Sequence, residues 1–170
     1  QLALVKKILP NLRKIGLIYN PSEKNSQKQV KAIKEVATNF DIEVEEVSAF
    51  KTADVAQATS YLTDKVEAIL LPNDNTAISA LETIIKIATK GGIPVFASDP
   101  ESVKSGAVAA VANDQYQVGR ETGVIVAHIL KGKNVKEIDV QVVKASKPYF
   151  NEKTLKDFGL NTPESNKEKD

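Results

Sequence analysis

The sequence predicts an α/β domain of three layers, with a doubly wound, mostly parallel sheet covered by helices on both faces. Three observations predict it. Short apolar runs alternate with amphipathic stretches in β-α-β-α-β-α-β order over the first two thirds of the chain. Two of those runs, KIGLIY at 14–19 and AILL at 68–71, are compact and apolar, as strands covered on both sides are. The 170 residues, 42% of them hydrophobic, are enough for one sizeable core.

Each element has its own signal. The strand at 14–19 stops at Asn20-Pro21, a turn pair. Residues 26–39 carry Val30, Ile33, Ala37 and Phe40 near helical spacing, with Asn25 or Ser26 as the expected cap. Residues 43–49 alternate like a strand with one wetter face. Residues 54–62 form a helix with Thr52 as a candidate cap, and 68–71 is an apolar strand. Residues 76–89 place Ile78, Leu81, Ile84, Ile85 and Ala88 on one helical face, closed by Gly91-Gly92. A strand at 94–97, a small helix at 100–104 and a strand at 107–112 follow. The last third differs: one long helix at 114–130, a strand at 140–145, a short helix at 151–158 stopped by Gly159, and a polar tail from 164 to 170.

Composition removes several functions. The chain has no cysteine, so a zinc–thiolate cluster, a thiol nucleophile and a disulfide framework are excluded. Its net charge is +1 with acids and bases interspersed, which argues against nucleic acid as a partner. No glycine-rich phosphate loop follows the first strand. His128, the single histidine, lies in a helix without a Ser, Cys or second His to act with, so it reads as structural or exposed. Arg120 reads as a partner in a helix-surface ion pair, and Tyr149 and Phe150 as packing residues. No catalytic residue, metal site or cofactor is expected. The chain opens at Gln1 and contains no methionine, which points to a processed or partial chain.

The expected chemistry lies where the strands end. Ligands bind open parallel sheets outside the carboxyl ends of the strands. The first strand here ends in Asn20, followed by Glu23, Asn25 and Ser26; the third ends in Asn73, Asp74 and Asn75; the fourth ends in Ser98 and Asp99. A parallel sheet gathers these on one edge. The acids suit an ammonium or hydroxyls, and backbone amides at the helix starts near Asn25 and Thr76 suit a carboxylate. A zwitterionic amino acid needs both. Taken singly, Asn, Asp and Ser after a strand are ordinary cap and turn residues; their joint occurrence on one edge carries the functional reading.

Four segments, IGLIYNPSEKNS, LLPNDNT, IPVFASDPESVKSG and DQYQVGRETG, in this order, resemble ABC-transporter substrate-binding proteins of the tryptophan/tyrosine type, within the type I periplasmic-binding-protein superfamily. The resemblance runs from about Leu2 to about Pro163. It implies a two-lobed protein of which this chain is the second lobe, 1–163, with the first lobe absent and the helix region 114–133 made to pack on it. The apolar residues Val118, Val124, Ile125, Ile129 and Leu130 would then be covered in a dimer, by swapping or against this lobe. The resemblance further implies an aromatic amino acid as ligand, ABC permease subunits as partners, and a place outside the cytoplasmic membrane, periplasmic or lipid-anchored. It makes Asn20, Glu23, Asn25, Ser26, Asn73, Asp74, Asn75 and Asp99 this lobe's half of the cleft. Charge complementarity then assigns Asp74 or Asp99 to the ammonium and loop amides to the carboxylate. The other reading is an effector-binding domain of a transcription regulator with the same fold. A phosphate receiver needs paired acids after the first strand, where Asn20 stands. A hydrolase lacks a nucleophile–base pair.

Overall fold

The computed structural model describes residues 1–141 and 146–163. Its six strands are β1 (Lys14–Tyr19), β2 (Glu43–Ser48), β3 (Ala68–Leu70), β4 (Val95–Ala97), β5 (Ala109–Asn113) and β6 (Ser146–Phe150). They form one sheet in the order β2-β1-β3-β4-β5-β6. The first five run parallel, and β6 runs antiparallel to β5. The order reverses between β1 and β3, so the chain winds outward in both directions from that pair. That is the switch point at which the connecting loops diverge and leave room for a ligand.

Alternation along the strands divides the core. Ile15 and Leu17 of β1, with Leu70, Phe96 and Ala109, face helices α1 (Leu2–Ile8), α2 (Lys24–Ala37) and α8 (Glu152–Asp157). Ile18, Ile69, Leu71, Val95, Ala97 and Ala110 face α3 (Thr52–Thr63), α4 (Asn75–Ser79), α5 (Leu81–Lys90) and α6 (Pro100–Lys104). The helices bury what their spacing dictates: Val30, Ile33 and Ala37 from α2, and Leu81, Ile84 and Ala88 from α5. Gly16 has a steric reason. A Cβ there would stand 2.9 Å from Leu62 Cδ1 and 3.2 Å from Val66 Cγ2, so its absence lets α3 lie close on β1.

Some expected elements differ. The helix of 76–89 is two helices that meet at Ala80. No proline or glycine marks the break; Ala77 and Ala80 are buried there, so packing sets it. Helix α2 starts at Lys24 behind Glu23, not behind Asn25 or Ser26, because those two side chains turn to the neighbouring loop. Lys51, not Thr52, stands at the cap of α3, and Asp54 accepts the N–H groups of Phe50 and Lys51 at 3.2 Å each. The first helix, α1, was not among the expected elements, although Leu2, Val5 and Ile8 recur at helical spacing and are buried. Of the strand expected at 140–145, residues 142–145 lie outside the described residues, as does the tail 164–170. The described final strand is β6, which contains Pro148; a proline is tolerated on an edge strand, where its missing N–H breaks no inner ladder.

Helix α7 (Gln115–Leu130) buries none of its residues. Val124 is 53% exposed and Leu130 83%. Of the five apolar residues named above, the lobe half-buries Val118 and Ile125 and leaves Val124, Ile129 and Leu130 exposed. Its start is held firmly. Asp114 caps it through Tyr116 N–H at 3.0 Å and accepts Lys147 Nζ at 2.5 Å, joining α7 to β6. That hydrogen bond from Lys147 holds the Asp114 carboxyl below its ordinary range, and Asp114 pushes Lys147 up. Arg120 is exposed and forms no ion pair among the described residues, against the helix-surface pair expected of it; His128 is exposed as expected. Tyr149 and Phe150 pack against the two core faces.

Candidate ligand-binding edge

The carboxyl ends of β1, β3 and β4 bring the expected residues to one edge. At its centre is Asp74, 1% exposed. Its Oδ1 accepts the N–H of Ala77 at 2.8 Å and so caps α4, while its Oδ2 accepts the N–H of Asn20 at 2.7 Å. A buried carboxylate is tolerated when hydrogen bonds replace its water. Both oxygens are thus engaged with the main chain, and almost no surface remains. Asp74 braces the end of β1 against the turn after β3, and of the two acids offered for an ammonium it is the one with almost no exposed surface.

Glu23 makes a second tie between the same loops. Its Oε2 accepts the N–H of Asn75 at 3.0 Å and Asn75 Nδ2 at 2.9 Å. Its Oε1 accepts the N–H and Oγ1 of Thr76 at 3.2 and 3.1 Å. Burial pushes the Glu23 carboxyl up, but these four donors outweigh it and hold it below its ordinary range. The amides at the start of α4 are consequently taken by Glu23 and Asp74, so the loop amides expected to hold a ligand carboxylate at Thr76 are already paired. Helix α2 differs, because no side chain caps its start.

Asn20 links a third loop. Its Nδ2 donates to Thr76 Oγ1 at 2.9 Å and to the Phe50 carbonyl at 3.2 Å, and its Oδ1 accepts Ser22 N–H at 2.8 Å. The Asn73 carbonyl accepts Asn25 Nδ2 at 2.7 Å and Ser26 Oγ at 3.4 Å. Asn20, Glu23, Asn25, Ser26, Asn73, Asp74 and Asn75 thus form one network through the 73–76 segment. Asp99 stands apart from it, one loop over and half-buried. It caps α6, accepting Ser102 N–H at 2.8 Å and Ser102 Oγ at 2.5 Å.

Sequence reasoning missed Gln29 and Phe50 and named Ser98 only as a strand end. Gln29 accepts Asn73 N–H at 2.8 Å and donates to Ser98 Oγ at 3.2 Å, bridging the turns after β3 and β4. Ser98 Oγ donates to the Leu71 carbonyl at 2.7 Å and accepts Gln1 Nε2 at 2.8 Å. Phe50, directly after β2, is 64% exposed. Gln29 lies in the middle of a helix and Phe50 in a loop, so neither periodicity nor cap chemistry marks them. A lone exposed phenylalanine among polar side chains is a signal only once its neighbours are known.

The topology also places the chain's departures. The chain leaves the sheet after Asn113 and returns at Ser146, residues paired across β5 and β6 at this same edge. Gln1 reaches the edge too, through Ser98. A cavity of about 420 Å³ lies away from it, between α7 and the segment following it, lined by Val124, Ile125, His128 and Ile138 among others. Among the described residues no cluster of three or more His, Asp or Glu is placed to hold a metal, and no helix is long and apolar enough to cross a membrane.

A family model described as ABC transporter substrate binding protein matches residues 1–168. The chain belongs to that family. It is 37% identical over 155 residues to a tyrosine-binding protein of Clostridioides difficile, covering 91% of this chain and 45% of that protein. The structure of an ABC domain from Streptococcus pneumonia in complex with L-Trp superposes with a TM-score of 0.88 at 32% identity, over 96% of this chain and 56% of that one. A ligand-free, open substrate binding protein with adhesive properties from Clostridium difficile superposes at 0.81 with 33% identity, over 97% and 56%. The chain thus spans about half the length of the relatives it matches, and its three-layer fold superposes on about half of each of those structures.

Proposed function

We propose that the chain is the second lobe of an extracytoplasmic receptor that captures an aromatic amino acid and delivers it to an ABC permease. The observation that carries the proposal is the braced polar edge from Asn20 to Asp99, lying where the chain leaves and re-enters the sheet. An edge already cross-linked by its own hydrogen bonds is pre-organised, so a ligand orders little on binding. The related proteins named for tyrosine and crystallised with L-Trp support an aromatic cargo.

The roles follow from what the network leaves open. Asp99 and Asp74 each have one donor on each carboxylate oxygen, but Asp99 is only half-buried where Asp74 is 1% exposed, so Asp99 takes the ammonium. The uncapped start of α2 takes the carboxylate, because its first-turn amides and the helix dipole favour an anion. Asn73 and Asn75 are exposed and complete the polar contact. Binding involves no bond making or breaking. The ligand closes the two lobes, and the shift toward the closed form is bounded by its differential affinity for the two states.

The test is calorimetric titration of the twenty amino acids into the full-length protein, with this chain alongside. Tight binding of an aromatic amino acid to the full-length form and much weaker binding to this chain is the expected result. If none of the twenty binds either form, the amino-acid reading is wrong.

A further inference from the structure

We propose that the ion pair between Asp114 and Lys147 sets the angle between the two lobes and so the cost of closing them on a ligand, an inference that rests on the two-lobed receptor proposed above. Both are positioning residues. They act through the direction in which the chain leaves this lobe, not by contact with the ligand.

The pair stands where the chain goes out and comes back. Asn113, the last residue of β5, pairs with Ser146, the first of β6. Asp114 and Lys147 are their immediate neighbours, so the pair bridges the outgoing and the returning passage. One carboxylate makes the bridge. One of its oxygens, Oδ1, accepts the N–H groups of Tyr116 and Gln117 at 3.0 and 3.4 Å and caps α7. The other, Oδ2, accepts Lys147 Nζ at 2.5 Å. The Lys147 side chain is 62% exposed, but that of Asp114 is only 16% exposed, so the shared carboxylate is enclosed. Helix and strand are thereby fixed against each other through a single side chain.

The rest of the lobe offers α7 no comparable hold. The helix buries none of its residues, so packing does not fix its axis. The other ion pairs among the described residues lie inside the lobe. Lys14 joins β1 to Glu43 and Glu45 of β2, Lys34 joins α2 to Glu46 of β2, and Lys31–Glu35 and Glu101–Lys104 each lie within one helix. In the two-lobed protein α7 carries the connection outward, so turning its axis against β6 turns the other lobe. A held axis limits the open form to fewer inter-lobe angles, and less freedom is then lost on closure. Affinity rises without any new contact to the ligand.

The experiment uses the full-length protein with one spin label at Lys86→Cys, an exposed position on α5, and one on the other lobe. It reads the distribution of inter-lobe distances without ligand, beside the affinities for tryptophan, tyrosine and phenylalanine, with thermal melting to confirm folding. Lys147→Gln removes the cation and leaves the cap of α7 in place. The distribution should broaden, and the three affinities should fall by one common factor, about two- to fivefold, the range of an exposed ion pair. Lys147→Arg keeps the charge and should restore both readouts. Lys14→Gln, which breaks a pair wholly within the lobe, should move neither. An unbroadened distribution in Lys147→Gln overturns the proposal, as does equal broadening in Lys14→Gln. Unequal losses for the three ligands overturn it too, because a hinge does not sense the ligand's side chain. Wild type that binds no amino acid overturns the receptor reading instead, and the ligand-free distances still decide whether the pair holds the lobes, so the two failures are told apart.

Discussion

Asp74 and Asn20 are 54 residues apart in sequence, yet the Asp74 carboxylate accepts the Asn20 N–H at 2.7 Å. Its other oxygen caps α4 through Ala77. One buried side chain therefore ties the end of β1 to the start of the helix after β3, across the switch point of the sheet. Removing it leaves the Asn20 N–H unpaired and α4 uncapped. A lost cap costs about 1 kcal/mol and an unsatisfied buried donor about 1–3 kcal/mol. Asp74→Ala should lower stability by about 2–4 kcal/mol, read as a shift of the urea midpoint at constant m-value. A midpoint equal to wild type would show that this tie is not structural.

Glu23 makes the same connection from the surface, and its contribution depends on pH. Its folded-state carboxyl is held below the ordinary 4.5, so it stabilises the fold above that value. The stabilisation disappears as pH falls below 4.5 and through the folded value. Glu23→Gln resembles the protonated form, so the stability gap between wild type and this variant should be constant well above pH 4.5 and shrink on acidification. Denaturant titrations at a series of pH values measure it. A gap that widens in acid contradicts the clamp.

Gln29 positions the turn after β3 without touching its side chains. Its two amide atoms hold Asn73 N–H and Ser98 Oγ. Gln29→Leu keeps the volume and removes both bonds. Ligand affinity of the full-length protein should weaken about tenfold, since one misplaced polar contact is worth roughly 1–1.5 kcal/mol. Gln29→Glu retains an acceptor for Asn73 N–H and should recover part of the loss. Equal affinities in all three proteins would remove Gln29 from the site.

Helix α7 has no buried residue, and a helix of 16 residues without a packed face is marginal in water. Its start is anchored by Asp114 and Lys147, and its far end by nothing in the described lobe. In this chain, hydrogen exchange should be fast along α7, least so at Tyr116 and Gln117, and slow in α5. In the full-length protein α7 should become protected. Protection of α7 equal to that of α5 in this chain alone would mean that a second copy or another segment covers it.

The periodic elements were legible in the sequence because their signals are local. KIGLIY and AILL declare buried strands by composition, and Val30, Ile33 and Ala37 declare one face of α2 by spacing. The polar strand ends were legible for the same reason, since Asn, Asp and Ser after an apolar run mark a chain reversal. The proline-bearing strand β6 was not, because its apolar partners come from pairing with β5 and not from its own alternation.

By itself, the sequence determined the α/β class, the sheet edge that gathers the polar residues, and the identity of most of them. Only the tertiary structure decided what each residue is free to do. A carboxylate reads the same in sequence whether it is exposed or enclosed, and only the fold shows that Asp74 is buried between two backbone amides while Asp99, with as many donors, is only half-buried. Gln29 and Phe50 entered the site through contacts with residues 20 or more positions away, which no local pattern encodes. Hydrogen-bond capacity is a property of the residue, but its availability depends on which distant groups the fold brings within 3 Å or so.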